Sequence, residues 1–110
     1  MDLNSLLIEL KIGKSEKTDI ESLLINILGQ KNKVININTC RFNLNNNYQK
    51  RVYSQYCDKI MEAGGFEDKS EKSSNDTERR MYLQKAFITY GEALNVISNI
   101  YDLENDRLKD

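Results

Sequence analysis

Apolar positions recur at helical spacing over most of the chain. Leu3, Leu6, Leu7 and Leu10 fall at i, i+3, i+4 and i+7, which predicts a short amphipathic helix ending at Gly13. Ile20, Leu23, Leu24, Ile27 and Leu28 repeat the pattern behind a Thr18-x-x-Glu21 capping box, with Gly29 as the stop. Together they predict an N-terminal αα-hairpin that turns at residues 13–17. A third helix is expected from the Asn46/Gln49 capping pair, with Val52, Tyr56, Ile60 and Ala63 inward and Gly64–Gly65 closing it. Residues 66–76, charged and serine-rich, read as a flexible loop within a single domain of residues 1–110.

The longest pattern comes last. Behind an Asn75/Glu78 capping box, Leu83, Phe87, Tyr90, Leu94, Ile97, Tyr101 and Leu108 step by 4-3-4-3-4-7. Tyr82, Ala86, Ala93, Val96 and Ile100 run beside them, as on the central helix of a bundle. A helix over 77–108 would be about 48 Å long and would overhang a compact monomer, so the seam predicts a homodimer or higher oligomer. Gly91 within this face marks either a place for close approach or a tolerated glycine.

One stretch departs from helical period. Val34–Ile37 is β-branched, and Cys40, Phe42 and Leu44 alternate with polar residues. A short β-hairpin at about 34–44 fits this. A helix through Ile37, Cys40, Arg41 and Leu44 fits as well, and the asparagines favour the extended reading. The fold class expected is mainly α: a small bundle of an N-terminal αα-hairpin, a third helix and a long C-terminal helix, with that short hairpin.

Composition narrows the chemistry. The chain has 110 residues, no histidine, no proline and two cysteines. Histidine-dependent triads and histidine metal sites are ruled out, and Cys40 and Cys57 form no zinc spacing and read as free thiols. Gly13-Lys14-Ser15 lacks the upstream glycine of a phosphate loop, since Ile8 stands there. A helix-turn-helix reading of residues 10–24 would turn Glu16, Asp19 and Glu21 toward phosphates. Asp102, Glu104 and Asp106 alternate as in a calcium loop, but Arg107 replaces the required glycine. Asp58/Glu62 and Asp102/Asp106 are carboxylate pairs with a base beside each, which reads as ionic surface. No nucleophile motif, cofactor motif or membrane span is present, so neither an enzyme nor a cofactor is expected. The N-terminus lacks the pattern of a secretory signal, and the expected location is cytoplasmic. Asparagine, isoleucine and lysine are abundant, as in AT-rich genomes.

Charge is segregated along the chain. From Ser22 to Cys57 there is no acid and a net charge of +5, against −2 for residues 1–21 and −4 for 58–110. Lys31, Lys33, Arg41, Lys50 and Arg51 supply the charge, and Tyr48, Tyr53 and Tyr56 interleave with it. The expected function is a non-enzymatic protein-interaction module: a small regulator, adaptor or inhibitor that binds an acidic protein surface. Its expected contact residues are Lys31, Lys33, Arg41, Tyr48, Lys50, Arg51 and Tyr53. Size and acidity suit a phage or mobile-element regulator. The alternative is a nucleic-acid-binding regulator that uses the tyrosines as stacking groups. A purely internal role, with the basic middle complementing acidic helices, also accounts for the segregation.

Overall fold

The computed structural model describes residues 12–39 and 44–109, and side chains over 20–38 and 44–109. The chain forms a mainly α bundle of three helices and one small antiparallel hairpin: α1 Ile12–Thr39, α2 Asn47–Glu71, α3 Asp76–Ile97, β1 Tyr101–Asp102 and β2 Arg107–Leu108. The Leu3–Leu10 stripe, Cys40 and Arg41 lie outside the described residues.

α1 replaces the expected αα-hairpin. Gly13, Thr18 and Gly29 are all interior to one 28-residue helix. The Gly-Lys-Ser run and the helix-turn-helix turn therefore fall on helical backbone. Residues 34–39 are helical too, not one arm of a β-hairpin. The reason lies in one face. Ile20, Ile27, Val34 and Ile37 are all buried, and their spacing of seven, seven and three carries one stripe across Gly29. Packing of that stripe overrides the β preference of Val34–Ile37.

α2 begins as expected. The Asn46 side chain accepts the Gln49 N–H at 2.8 Å, and Gln49 Oε1 accepts the N–H of Asn45 at 2.7 Å. Gly64–Gly65 does not end it. No glycine has a positive φ among the described residues, so none makes the left-handed cap that would stop a helix. Residues 66–71, expected to be flexible loop, form the last turns of α2, and only residues 72–75 connect it to α3.

α3 starts on Asn75, whose side chain accepts the Glu78 N–H at 2.8 Å. Asp76 and Glu78 in its first turn suit the positive end of the helix dipole. The helix stops at Ile97, well short of the expected 108. Asp102 is the reason: its carboxylate accepts the N–H groups of Glu104 and Asn105, at 3.1 and 3.3 Å, and the Asn105 amide at 2.8 Å. That carboxylate nucleates a turn, which Asp106 completes at φ 49°. Tyr101 pairs with Leu108 across the hairpin, and Lys109 N–H bonds Ile100 C=O at 2.8 Å. The last step of the apparent heptad is therefore a cross-strand pair. The calcium-loop carboxylates are turn residues.

α3 is the central helix. It packs antiparallel along α2 and on another side against α1. Leu83, Tyr90, Leu94, Ile97 and Tyr101 of the expected seam are buried within this chain, while Phe87 sits at the rim, 36% exposed. The overhanging helix that predicted a second copy is not formed.

At the α1–α3 contact, Gln30 Nε2 donates to the Phe87 carbonyl at 3.1 Å, and Gln30 Oε1 is buried with no partner among the described residues. Gly91 lies beside it, but no approach there is close enough to require a glycine. A Cβ on Gly91 would come 3.6 Å from Gln30 Nε2, an ordinary contact. Gln30→Leu is expected to stabilise the fold by about 1 kcal/mol, because it removes an unsatisfied acceptor and buries an apolar chain. The Phe87 carbonyl is inside a helix and keeps its intrahelical bond. Urea denaturation midpoints of the two proteins check this; a lower midpoint for the variant refutes it.

Candidate interaction surface

The acid-free segment covers the second half of α1 and the first half of α2. The end of α1 meets the first half of α2, where Tyr56 donates to Asn38 Oδ1 at 3.4 Å, while Lys31 reaches Glu67 farther along α2. The α2–α3 pairing brings the chain's C-terminal hairpin, with Asp102, Glu104 and Asp106, to the N-terminal end of α2.

The expected contact residues divide into two groups. Lys33, Tyr48, Lys50 and Arg51 are exposed, with Arg51 lying 5.9 Å from the Tyr48 ring centre. Lys33, Lys50 and Arg51 form no ion pair among the described residues. Lys31 and Tyr53 are spent internally. Lys31 Nζ lies 3.2 Å from Glu67 Oε2, so this lysine ties α1 to α2. Tyr53 is half-buried, packs its ring 5.8 Å from that of Tyr56, and has its hydroxyl pushed above the usual tyrosine range by burial and by Cys57.

Glu67 is the polar hub of the bundle. Its carboxylate takes Lys31 from α1 and the Tyr90 hydroxyl from α3, the latter at 2.5 Å. Burial, then the bond to Glu67, raises the Tyr90 pKa well above its ordinary value. Burial does the same for Tyr56. The Lys31–Glu67 pair is partly solvated and is worth at most about 1 kcal/mol. Its role is geometric: one carboxylate of α2 contacts a side chain from each of the other two helices. The ionic surface expected around Asp58/Glu62 is present, with Lys59 3.0 Å from Glu92 and 3.8 Å from Glu62.

Two features escaped the sequence reading. Leu24, Ile25, Leu28 and Ile35 of α1 are each about half exposed or more. Leu24, Leu28 and Ile35, at i, i+4 and i+11, lie within about 40° of one another around the helix. The second is the aromatic-x-x-cation spacing, which occurs four times and sets a cation against its own ring in three of them, Tyr48/Arg51, Phe66/Lys69 and Tyr82/Lys85. Each of these three pairs sets a cation within 6 Å of its ring. That i, i+3 spacing is visible in the sequence and was the available signal.

Among the described residues no group of three or more carboxylates and thiols is placed to hold a metal, and no helix is long and apolar enough to cross a membrane. The Cys57 thiol is free and half-buried. Comparison with protein-family models, curated proteins and solved structures finds no match.

Proposed function

We propose that the protein is a non-enzymatic interaction module, a small cytoplasmic regulator, adaptor or inhibitor, that docks the exposed cations of its acid-free segment on an acidic protein. One observation carries the reading: Lys50 and Arg51 in the first turns of α2, and Lys33 on α1, are exposed and form no ion pair among the described residues, whereas Lys31 and Lys59 are paired within the chain. Tyr48, 49% exposed with Arg51 5.9 Å from its ring centre, adds apolar area to these charges. Aromatic rings and arginine are the residue types enriched at protein interfaces. Three exposed cations favour a protein over a nucleic acid, because three neutralised phosphates on a single strand give a log–log salt slope of only about −2.

The test compares the wild-type protein with a Lys50→Glu/Arg51→Glu variant on two immobilised probes, polyglutamate and a mixed single-stranded oligonucleotide, at low and physiological salt. Retention on polyglutamate, lost in the variant while its helicity is unchanged, is expected. Retention by the oligonucleotide instead, falling steeply with salt, overturns the protein-partner reading in favour of nucleic acid. Undiminished retention of the variant overturns the proposed surface.

A further inference from the structure

A second cluster lies at the opposite end of α2, beside the connection to α3. Phe66 is eighteen residues from Tyr48, about 27 Å along the helix. Antiparallel packing sets the Phe66/Lys69 pair of α2 against the Tyr82/Lys85 pair of α3. Lys69 Nζ lies 5.9 Å from the Phe66 ring centre and 5.8 Å from that of Tyr82. Lys85 Nζ lies 5.7 Å from the Phe66 centre and 5.8 Å from that of Tyr82. Each ammonium thus sits against its own helix's ring and the neighbour's ring. The rings are half-buried and the lysines exposed.

Neither lysine has a carboxylate within ion-pair distance among the described residues. Glu62 and Glu78, one turn before the two rings, are exposed; Glu62 approaches Lys59, and Glu78 lies in the first turn of α3, its backbone N–H bonded to the Asn75 cap. Attraction to a ring is worth about 0.5–1 kcal/mol for an exposed cation. It positions the lysine stems but leaves the repulsion between two like charges uncompensated. Each ammonium keeps donors for a ligand. The rings exclude water from one side, which strengthens the field felt by an anion there.

We propose that Phe66, Lys69, Tyr82 and Lys85 bind a phosphate monoester, its phosphoryl group held between the two ammoniums and its organic group lying on the rings. The charge decides the ligand. A phosphate monoester carries about −1.5 to −2 at neutral pH and matches two ammoniums, whereas one carboxylate leaves a lysine unmatched. The rings decide between an ester and the bare ion, since only the ester has an apolar part to place on them.

The experiment is a titration of the isotope-labelled full chain, followed by amide and side-chain NMR shifts at constant ionic strength. The probes are inorganic phosphate, phenyl phosphate and a short phosphotyrosyl peptide. Saturable shifts at residues 66, 69, 82 and 85 are expected, with phenyl phosphate binding tighter than inorganic phosphate. A Lys69→Gln/Lys85→Gln variant, whose substitutions are exposed and leave the core intact, is expected to bind about tenfold more weakly or worse. Peptide binding tighter than phenyl phosphate assigns the ester to a phosphorylated protein; equal binding assigns it to a small molecule. Equal affinity for phosphate and phenyl phosphate overturns the role of the rings. Shifts that chloride reproduces, or that persist in the variant, overturn the site.

Discussion

Leu94→Glu is expected to abolish the cooperative thermal transition and most of the helical circular dichroism. Leu94 is 8% exposed, on the helix that the other two pack against, and its neighbours Tyr90, Ala93 and Ile97 are buried with it. The substitution loses the burial of a leucine, about 2–3 kcal/mol, and the carboxylate must be either ionised in a dry core or protonated at an energetic penalty. The two costs together approach the roughly 5–15 kcal/mol that holds a whole domain folded. The measurement also separates two roles for the same residue. A seam between copies would give a helical species of lower mass. A core position within one chain gives loss of helix, and that is the result expected. Light scattering and far-ultraviolet circular dichroism on one sample distinguish them.

Tyr101→Ala is expected to lower the melting temperature by at least about 12 °C, from a loss of about 3–5 kcal/mol at some 4 °C or more per kcal/mol. Tyr101 is fully buried although it belongs to a two-residue strand. The hairpin exists to bring this ring back over the end of α3, and its turn is held by Asp102 and closed by the Lys109–Ile100 bond. Leu108→Ala is the comparison: its side chain is only half-buried opposite Tyr101, so its loss is expected to be smaller. Equal melting temperatures for wild type and Tyr101→Ala would show that the hairpin does not anchor the bundle.

Particular residues show why some of this fold was legible in the sequence. Asn46 and Asn75 were readable because a cap is a local bond, made within four residues by a side chain suited to nothing else there. The inward face of α3 was readable because seven-residue spacing survives any neighbour. The glycine stops at 13, 29 and 64–65 failed because a glycine ends a helix only where the chain beyond it has no reason to continue. Beyond Gly29 the buried face resumes at Val34 and Ile37, and a cost of about 1 kcal/mol per glycine does not outweigh it. The C-terminal hairpin was hidden by its own register, since cross-strand partners share a face much as residues seven apart on a helix do. Of the interaction surface, exposure of Lys33, Lys50 and Arg51 follows from their charge. That Lys31 is held by Glu67 is a contact between residues 36 apart, which no local pattern announces.

The four-residue link between α2 and α3 has a kinetic consequence. Closing so short a loop costs little chain entropy, and the antiparallel pair it joins makes the most extensive contact in the molecule. This pair is the natural nucleus for folding. α1 joins it from farther along the chain, through a smaller face and a few side-chain bridges to α2, so its docking is the last event and its release the first. The bundle is in this sense a two-helix core with a detachable third member, and α1 is the unit that local opening exposes to solvent before the rest unfolds.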